Sequence, residues 1–418
     1  MSHVIDADAG ASGEESPARP GGAAGVVRRL LAHAGLAALS VILCLCAVEI
    51  ALRVTEPREI MRYFFVSPDA TLHHRFIPGA TGRYQSTEFN TSYTINSLGL
   101  RDREIGPREP GTIRILMLGD SFTEGDGVEA GETFSKRLEA MLNPPGRPRG
   151  VEVVNAGVGS YSPLLEYLYL THGGLALHPD CVILNYDLSD AYDDITYSAL
   201  GRFGPDGKPL GVAAPDEAGS GKGVLVGIKD FFKDHTRLYN FVRVRIERYL
   251  EGIRHEGNFS GDLHYDKYAM LRGNYRPGVD DWTLSERYLL MIRDTLSALH
   301  IDYRVNVYPY GMQVSPKEWA VGRQFWGFRP DTLYSTWPQD LIARFCAENG
   351  ISVTNMCQAF RDTSRSVFPL YLRDNGHWTA RGQLVAAELF AQVVGPYVAD
   401  KLGGGPLARN GSAAGHTP

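Results

Sequence analysis

Residues 113–118 form a short, continuous apolar run that stops at the turn residues 119–121, Gly-Asp-Ser. Beyond the turn, apolar residues return at helical spacing, at Phe134, Leu138 and Met141. This pattern predicts a buried strand, a tight turn and then a helix. Ser121 would lie at the carboxyl end of the strand, where open parallel sheets bind their ligands. Ser121 is therefore a candidate nucleophile, and a simple helix-capping turn is the alternative interpretation.

The same alternation of apolar runs and helical patterns continues along the chain. Further strands are predicted at residues 151–154, 181–186, 303–308 and 351–354. Helices are predicted at residues 164–170, 284–299, 341–346 and 383–398. Alternating strands and helices indicate an α/β fold in which helices cover both faces of a mostly parallel sheet. We therefore expect a three-layer α/β/α sandwich over residues 111–400.

Two stretches depart from this rhythm. Residues 60–110 hold aromatic and β-branched runs broken by Pro and Gly, which predicts a β-rich extension of short antiparallel strands. Residues 199–281 open with a Gly/Pro-rich loop and then place apolar residues at helical spacing, at Leu238, Val242, Ile246 and Leu250. This insertion predicts an amphipathic helix on the core. A lid over the substrate cleft and a helix on anionic lipid are the alternatives.

The N-terminal region predicts a membrane anchor. Residues 1–27 are rich in Gly, Ala, Ser and Pro, which is typical of a disordered arm, and residues 402–418 resemble a disordered tail. Residues 28–54 are long and apolar enough to cross a bilayer. No small-x-small cleavage site follows, which favours an uncleaved signal anchor over a cleaved signal peptide or a buried soluble helix. Arg19, Arg28 and Arg29 precede the apolar stretch that begins at Leu30, so the positive-inside rule places the N-terminus in the cytoplasm and the folded part outside.

Composition narrows the function classes. The 418 residues are 44% hydrophobic and 22% charged, so a large core can form. A net charge of −6 without a basic stripe gives no reason to expect a nucleic-acid partner. Outside the apolar segment three cysteines remain, Cys181, Cys346 and Cys357. They are interpreted as buried thiols, with a Cys346–Cys357 disulfide as the alternative. No paired Cys/His spacing or H-E-x-x-H motif is present, so no metal site and no cofactor are predicted.

A second chemical element, Asp374 and His377, lies just ahead of the last predicted helix. Residues three apart share one side of a helical turn, so the Asp374 carboxylate can hydrogen-bond the imidazole. That bond would leave the other ring nitrogen free to take a proton from a serine hydroxyl. Strand ends converge on one cleft in a doubly wound sheet. Ser121, His377 and amide donors of the strand-end loops can therefore meet there, as acyl transfer requires.

Four segments resemble, in family order, the motifs of the SGNH/GDSL hydrolases: residues 96–102, 119–125, 155–157 and 374–382. The chain is most similar to the bacterial, membrane-anchored branch, which resembles polysaccharide O-acetyltransferases and acetylesterases. The resemblance implies an SGNH-like fold with a flavodoxin-like strand order. It also implies a single-pass protein of the bacterial inner membrane with a periplasmic catalytic domain.

By this resemblance, Ser121 is the nucleophile, His377 the base and Asp374 its orienting acid. The other positions that the motifs assign to oxyanion or substrate binding are Gly157, Ser160, Ser189 and Asp190. The family usually has glycine where Ser160 stands, but any non-proline residue keeps the amide donor. It usually has asparagine where Ser189 stands, and a hydroxyl is shorter than that amide. Losing one such donor costs about 10²–10³ in kcat in a protease, so a slower or differently tuned enzyme is expected.

The resemblance implies a serine esterase that forms an acyl-enzyme on Ser121 and acts on carboxylic, chiefly acetyl, esters at the cell envelope. Its substrate would be a small ester or an acylated glycan. If a sugar hydroxyl accepts the acyl group instead of water, the protein is an O-acyltransferase of envelope polysaccharide. A transferase would need an exported donor or a membrane acyltransferase partner. A non-catalytic binding module with the same fold is the third hypothesis.

Overall fold

The computed structural model describes residues 23–55, 65–86, 88–144, 150–214, 236–239, 242 and 282–402. The predicted N-terminal arm up to residue 22 and the tail beyond residue 402 lie outside these ranges. So does most of the predicted helix in the insertion, including Ile246 and Leu250. The chain divides into two units, one of residues 1–57 and 228–243 and one of residues 58–227 and 244–418.

The strands and helices of the described residues, in chain order, are α1 (Ala23–Thr55), β1 (Val66–Asp69), β2 (His73–Phe76), β3 (Thr81–Gln85), β4 (Asn90–Thr94), β5 (Ile113–Gly119), α2 (Ser121–Glu124), α3 (Phe134–Leu142), β6 (Val151–Asn155), α4 (Pro163–His172), β7 (Cys181–Tyr186), α5 (Asp190–Ala199), β8 (Gly201–Phe203), β9 (Pro209–Val212), α6 (Thr283–Ala298), β10 (Asp302–Val307), α7 (Gly311–Val314), α8 (Gly322–Phe325), α9 (Trp337–Glu348), β11 (Ser352–Asn355), α10 (Cys357–Thr363) and α11 (Ala380–Lys401). Short 3₁₀ turns occupy Ala130–Glu132 and Gly174–Leu177.

Five parallel strands form the central sheet of the larger unit, in the spatial order β11-β10-β7-β5-β6. Numbered along the chain, this order is 2-1-3-4-5, the flavodoxin-like arrangement. Every residue of β5 and of β7 is buried, so helices cover both faces of the sheet. The predicted α/β fold is therefore confirmed, and each predicted strand overlaps an observed one.

Helices pack on the sheet in two groups. α3 packs against α11 and β6, whereas α4, α5 and α6 pack on one another. Phe134 of α3 stacks on Phe390 of α11, with ring centroids 5.0 Å apart. Cys181, Cys346 and Cys357 are buried free thiols, as predicted, and no disulfide joins Cys346 to Cys357.

The segment ahead of β5 forms two antiparallel hairpins, β1–β2 and β3–β4. Arg101 then inserts into the interior, where its guanidinium donates to the carbonyls of Gly125 (2.7 Å) and Val128. It also lies over the Tyr93 ring, 3.9 Å from the centroid. Asp102 accepts from the Asn155 amide and pairs with Lys136. These contacts tie the extension to the loops that follow β5 and β6.

The smaller unit contains α1, whose segment Gly25–Val54 is long and apolar enough to cross a membrane. Near its end, the Glu49 carboxylate accepts from the amides of Arg237 (3.0 Å) and Leu238 (2.8 Å). The Arg237 guanidinium donates in return to the carbonyls of Leu52 and Arg53. Each segment thus satisfies backbone groups that a helix end leaves unpaired.

Candidate active site

Ser121 begins α2 directly after the buried strand β5. The carboxylate of Asp120 caps this helix by accepting from the Phe122 amide at 2.9 Å. Ser121 is 8% exposed, so its hydroxyl lies at the floor of a cleft and not on the surface. Its Oγ lies 2.6 Å from Nε2 of His377 and 3.3 Å from Oδ2 of Asp120. The structure therefore brings together the serine and the histidine, which lie 256 residues apart in the chain.

His377 projects from a closed loop. The Leu372 amide donates to the His377 carbonyl at 2.8 Å, and Tyr371 pairs with Trp378 as an isolated antiparallel bridge. The Phe122 ring lies against the imidazole, with centroids 4.7 Å apart. An imidazole that accepts a proton at Nε2 carries hydrogen on Nδ1, so the partner of Nδ1 orients the base.

The predicted partner of Nδ1 is corrected by the structure. Asp374 does not contact His377, because its carboxylate pairs with Arg373 and is 35% exposed. The prediction assumed a helical turn, but Gly376 between the two residues has φ +87° and reverses the chain. Nδ1 of His377 instead contacts Oδ1 of Asn375. The Asp126 carboxylate also faces Nδ1, with its Oδ2 3.7 Å away and its side chain 3% exposed.

The four predicted oxyanion or substrate residues have different positions. Ser160 and Ser189 line the cleft with Ser121, whereas Gly157 and Asp190 do not. The Gly157 amide donates to Asn155 Oδ1, and a Cβ at Gly157 would lie 2.2 Å from the Glu124 amide nitrogen. Gly157 is therefore needed for close packing beneath the nucleophile.

Ser189 and Asp190 form hydrogen bonds within their own loop. The Ser189 hydroxyl donates to Asp193 at 3.2 Å, and its amide donates to Asp187. The buried Asp190 carboxylate accepts from the Asp187 amide at 3.0 Å. Ser160 differs, because it is exposed in the cleft with φ +63°. No acceptor for the amides of Ser121 and Ser160 occurs among the hydrogen bonds of the described residues. Both amides are therefore free to bind a developing oxyanion.

Two buried carboxyl groups, Asp120 and Asp187, form a pair that motif reasoning did not predict. Both line the cleft beside Ser121, and the charge of Asp187 acts on Asp120. Tyr308 donates to Asp120 at 3.0 Å and Tyr310 donates to Asp187 at 2.5 Å. Burial, and then the charge of Asp187, raise the pKa of Asp120 well above its ordinary value. Asp120 therefore keeps its proton to a higher pH than an ordinary aspartate does.

Two adjacent pairs of titratable residues, Asp193–Asp194 and His73–His74, are partly or fully buried. Asp194 is fully buried, accepts from Ser285 at 2.5 Å, and burial raises its pKa to about 7. Its neighbour Asp193 is only half-buried. His73 and His74 are half-buried against the loop that carries Ser160. The helical period of α5 separates Asp193 from Asp194, but the sequence does not say which of them faces the core.

The cleft has a volume of about 200 Å³. Its polar lining residues include Ser121, Ser160, Asp187 and Asn375, and its aromatic lining residues include Tyr310, Trp319 and Trp326. Asp126 and Asn375 were not predicted. A carboxylate flanked by glycines five residues after the nucleophile was the available signal for Asp126, because Gly125 and Gly127 both have positive φ.

Neither a protein-family model nor a curated protein sequence matches the chain. Solved structures similar to it include a lipolytic protein of the G-D-S-L family from Desulfitobacterium hafniense, at 13% identity and a TM-score of 0.35, over 68% of this chain and 99% of that one. An acetyl xylan esterase is similar at 12% identity and a TM-score of 0.36, over 68% and 100%. A catalytic mutant of an acetylxylan esterase from Geobacillus stearothermophilus is similar at 11% and 0.38, over 72% and 100%. Identities and TM-scores this low do not support an inference about the reaction, which has to be inferred from the geometry of the site.

Proposed function

We propose that this chain is a serine ester hydrolase that forms an acyl-enzyme on Ser121. The observation that carries the proposal is the 2.6 Å contact between Ser121 Oγ and His377 Nε2. As Oγ attacks the ester carbonyl carbon, His377 takes its proton. The carbon–oxygen bond to the alcohol breaks as His377 returns the proton to the leaving oxygen. Water then attacks the acyl-enzyme with His377 as base, and the acid leaves.

The cleft supports the remaining requirements of this reaction. The amides of Ser121 and Ser160 are donors for the oxyanion of the tetrahedral intermediate. Asn375 accepts from Nδ1 of His377 and fixes the tautomer, while the buried Asp126 carboxylate, 3.7 Å away, stabilises the imidazolium that forms. The chain thus provides a nucleophile, an oriented base and an anion site in one cleft.

The size of the cleft favours a small acyl group. Its volume of about 200 Å³ is below the range of roughly 300–1,000 Å³ that takes drug-sized ligands. Trp319, Trp326 and Tyr310 are among its lining residues. We infer that the acyl group is short, acetyl being the simplest, and that its alcohol extends toward solvent past the exposed Ser160.

We also infer that α1 anchors the protein in the bacterial inner membrane, with the catalytic domain in the periplasm. The apolar span Gly25–Val54 and the arginines that precede or begin it support this orientation. A reporter enzyme that is active only outside the cytoplasm, fused after Pro418, should be active. Activity of a cytoplasm-specific reporter at the same position would overturn the orientation.

A fluorophosphonate probe tests the acyl-enzyme. The full-length chain in detergent should be labelled on Ser121, and the variants S121A and H377A should not. Absence of label on all three would favour a non-catalytic binding module.

Release of a chromogenic alcohol from its acetate tests hydrolysis. Wild type should turn the ester over in water alone, and S121A should not. If turnover instead requires an added oligosaccharide and yields acetylated sugar, the protein is an O-acyltransferase and the hydrolase proposal is wrong.

A further inference from the structure

The peptide unit that joins Gly159 to Ser160 carries one of the two free amides of the cleft. Ser160 has φ +63°, in the left-handed region that residues other than glycine rarely occupy. Such a conformation persists only where surrounding contacts impose it. The contacts that fix this peptide unit therefore decide where the Ser160 amide points.

Both sides of Gly159 are held by side chains from other elements. Its amide donates to the Glu124 carboxylate at 2.8 Å, and Glu124 also accepts from the Tyr93 hydroxyl. Its carbonyl contacts Nε2 of His74 at 2.8 Å. A carbonyl oxygen only accepts, so Nε2 of His74 carries the hydrogen. That carbonyl belongs to the same rigid peptide plane as the Ser160 amide.

His74 itself is well fixed. Its Nδ1 lies 2.9 Å from Nδ1 of His73, and with the His74 hydrogen on Nε2, His73 is the donor of that contact. The Tyr161 hydroxyl donates to the His74 carbonyl at 2.8 Å, and the two rings meet edge to face. His74 belongs to β2 of the N-terminal extension, so the extension reaches the catalytic loop through this imidazole.

We propose that His74 is a positioning residue for acyl transfer, which holds the Gly159–Ser160 peptide so that its amide faces the oxyanion. The inference rests on the proposed esterase function. A donor on the Gly159 carbonyl fixes the plane of the peptide and polarises its N–H, because hydrogen bonds in a chain strengthen one another. The effect belongs to the transition state, since only there does the oxyanion form.

The variants H74L and H74Q, assayed as full-length chain on a chromogenic acetate, test the proposal. We expect H74L to lower kcat by about 10–100-fold with less than about threefold change in KM, since part of one oxyanion donor is lost. Glutamine places an amide nitrogen near the position of Nε2, so H74Q should recover kcat to within about fivefold of wild type. The matched control is H172L, because His172 also contacts a backbone carbonyl, that of Leu168, but is exposed at the end of α4. It should leave kcat unchanged.

A second variant, S160G, tests the conformational part of the inference. Glycine adopts the left-handed conformation without cost, so H74L should lose at least threefold less kcat in the S160G background than in wild type. Equal losses in both backgrounds would contradict a role through Ser160. So would unchanged kcat in H74L, or equal losses in H74L and H74Q with unchanged circular dichroism.

The two proposals fail in different ways. If fluorophosphonate does not label wild type, the esterase function fails. If wild type is labelled and H74L is labelled at the same rate, only the role of His74 fails.

Discussion

The nucleophile and the base lie on two segments that are held in place in different ways. Ser121 follows a strand whose residues are all buried, and its helix is capped by its own neighbour, Asp120. His377 lies in an irregular loop, where a single carboxylate, that of Glu88, accepts from three consecutive amides of residues 373–375. The first position is fixed by the core of the sheet, and the second by contacts with a distant hairpin.

This difference explains why one motif predicted its contacts and the other did not. A buried strand followed by a helix cap fixes the path of the backbone, so the position of Ser121 follows from local sequence. In the base loop, Gly376 turns the backbone with φ +87°, and the turn brings Asn375 to the imidazole instead of Asp374. Motif spacing therefore identifies the base, while turn geometry selects its partner.

The largest expected effect tests that selection. Replacing Asn375 by leucine removes the acceptor for Nδ1 of His377, so the base adopts the wrong tautomer. We expect kcat to fall by about 10²–10⁴, by analogy with loss of the orienting acid in serine proteases. D126N should reduce kcat by a smaller factor, because Asp126 acts on Nδ1 from 3.7 Å.

The control is the variant D374N, which alters a side chain paired with Arg373. Its kcat on a chromogenic acetate should stay within about threefold of wild type, since exposed ion pairs contribute little. A loss in D374N as large as that in N375L would show that the substrate-bound loop uses Asp374, as the family motif implies.

The sequence predicted the fold better than the site, for a physical reason. Apolar runs mark the buried strands directly, the edge strand β11 was located although none of its residues is buried, and strand–helix alternation indicated a parallel sheet. Ser121 and His377 were found because each has a distinctive local motif. The Asp120–Asp187 pair has none, because it depends on β5 and β7 being neighbours. His74 was missed for the same reason, since its partner Gly159 lies 85 residues away in the chain.

The next expected effect concerns the support of the base loop. E88A removes the acceptor of three amides, so the loop that carries His377 should loosen. Misplacement by about 1 Å can cost about 10²-fold in rate, and we expect kcat to fall by about 10–100-fold with little change in KM. The matched control is E104A, because Glu104 also accepts a backbone amide of the extension, that of Ser97, without touching the cleft. Equal kcat in E88A and wild type would show that the core alone positions the base.

A smaller effect, on the pH profile, tests the buried side of the cleft. The pKa of Asp120 is raised by burial and by the charge of Asp187, so Asp120 keeps its proton to a higher pH than an ordinary aspartate does. Deprotonation then places two charges beside Ser121 and opposes an anionic intermediate, so wild-type kcat should fall on the alkaline side. D187N cannot carry the second charge and should lack this fall. D193N, which alters a half-buried residue close by, should keep the alkaline fall in kcat. Identical pH profiles for D187N and wild type would show that Asp120 and Asp187 do not affect the reaction.

The last expected effect is on stability instead of rate and comes from the buried Asp194 of α5. Its folded pKa is raised to about 7 from an ordinary 3.8, so between these values the folded chain holds a proton that the unfolded chain lacks. This stabilisation is complete below pH 4 and is lost as the pH rises to 7, at about 1.4 kcal/mol per pH unit. D194N keeps an acceptor for Ser285 but cannot titrate. Its unfolding free energy should therefore decline less steeply with rising pH, by about 1.4 kcal/mol per pH unit, which corresponds to one proton. Urea unfolding followed by tryptophan fluorescence, with D193N as control, measures the two slopes, and parallel slopes would mean that Asp194 is charged in the folded protein.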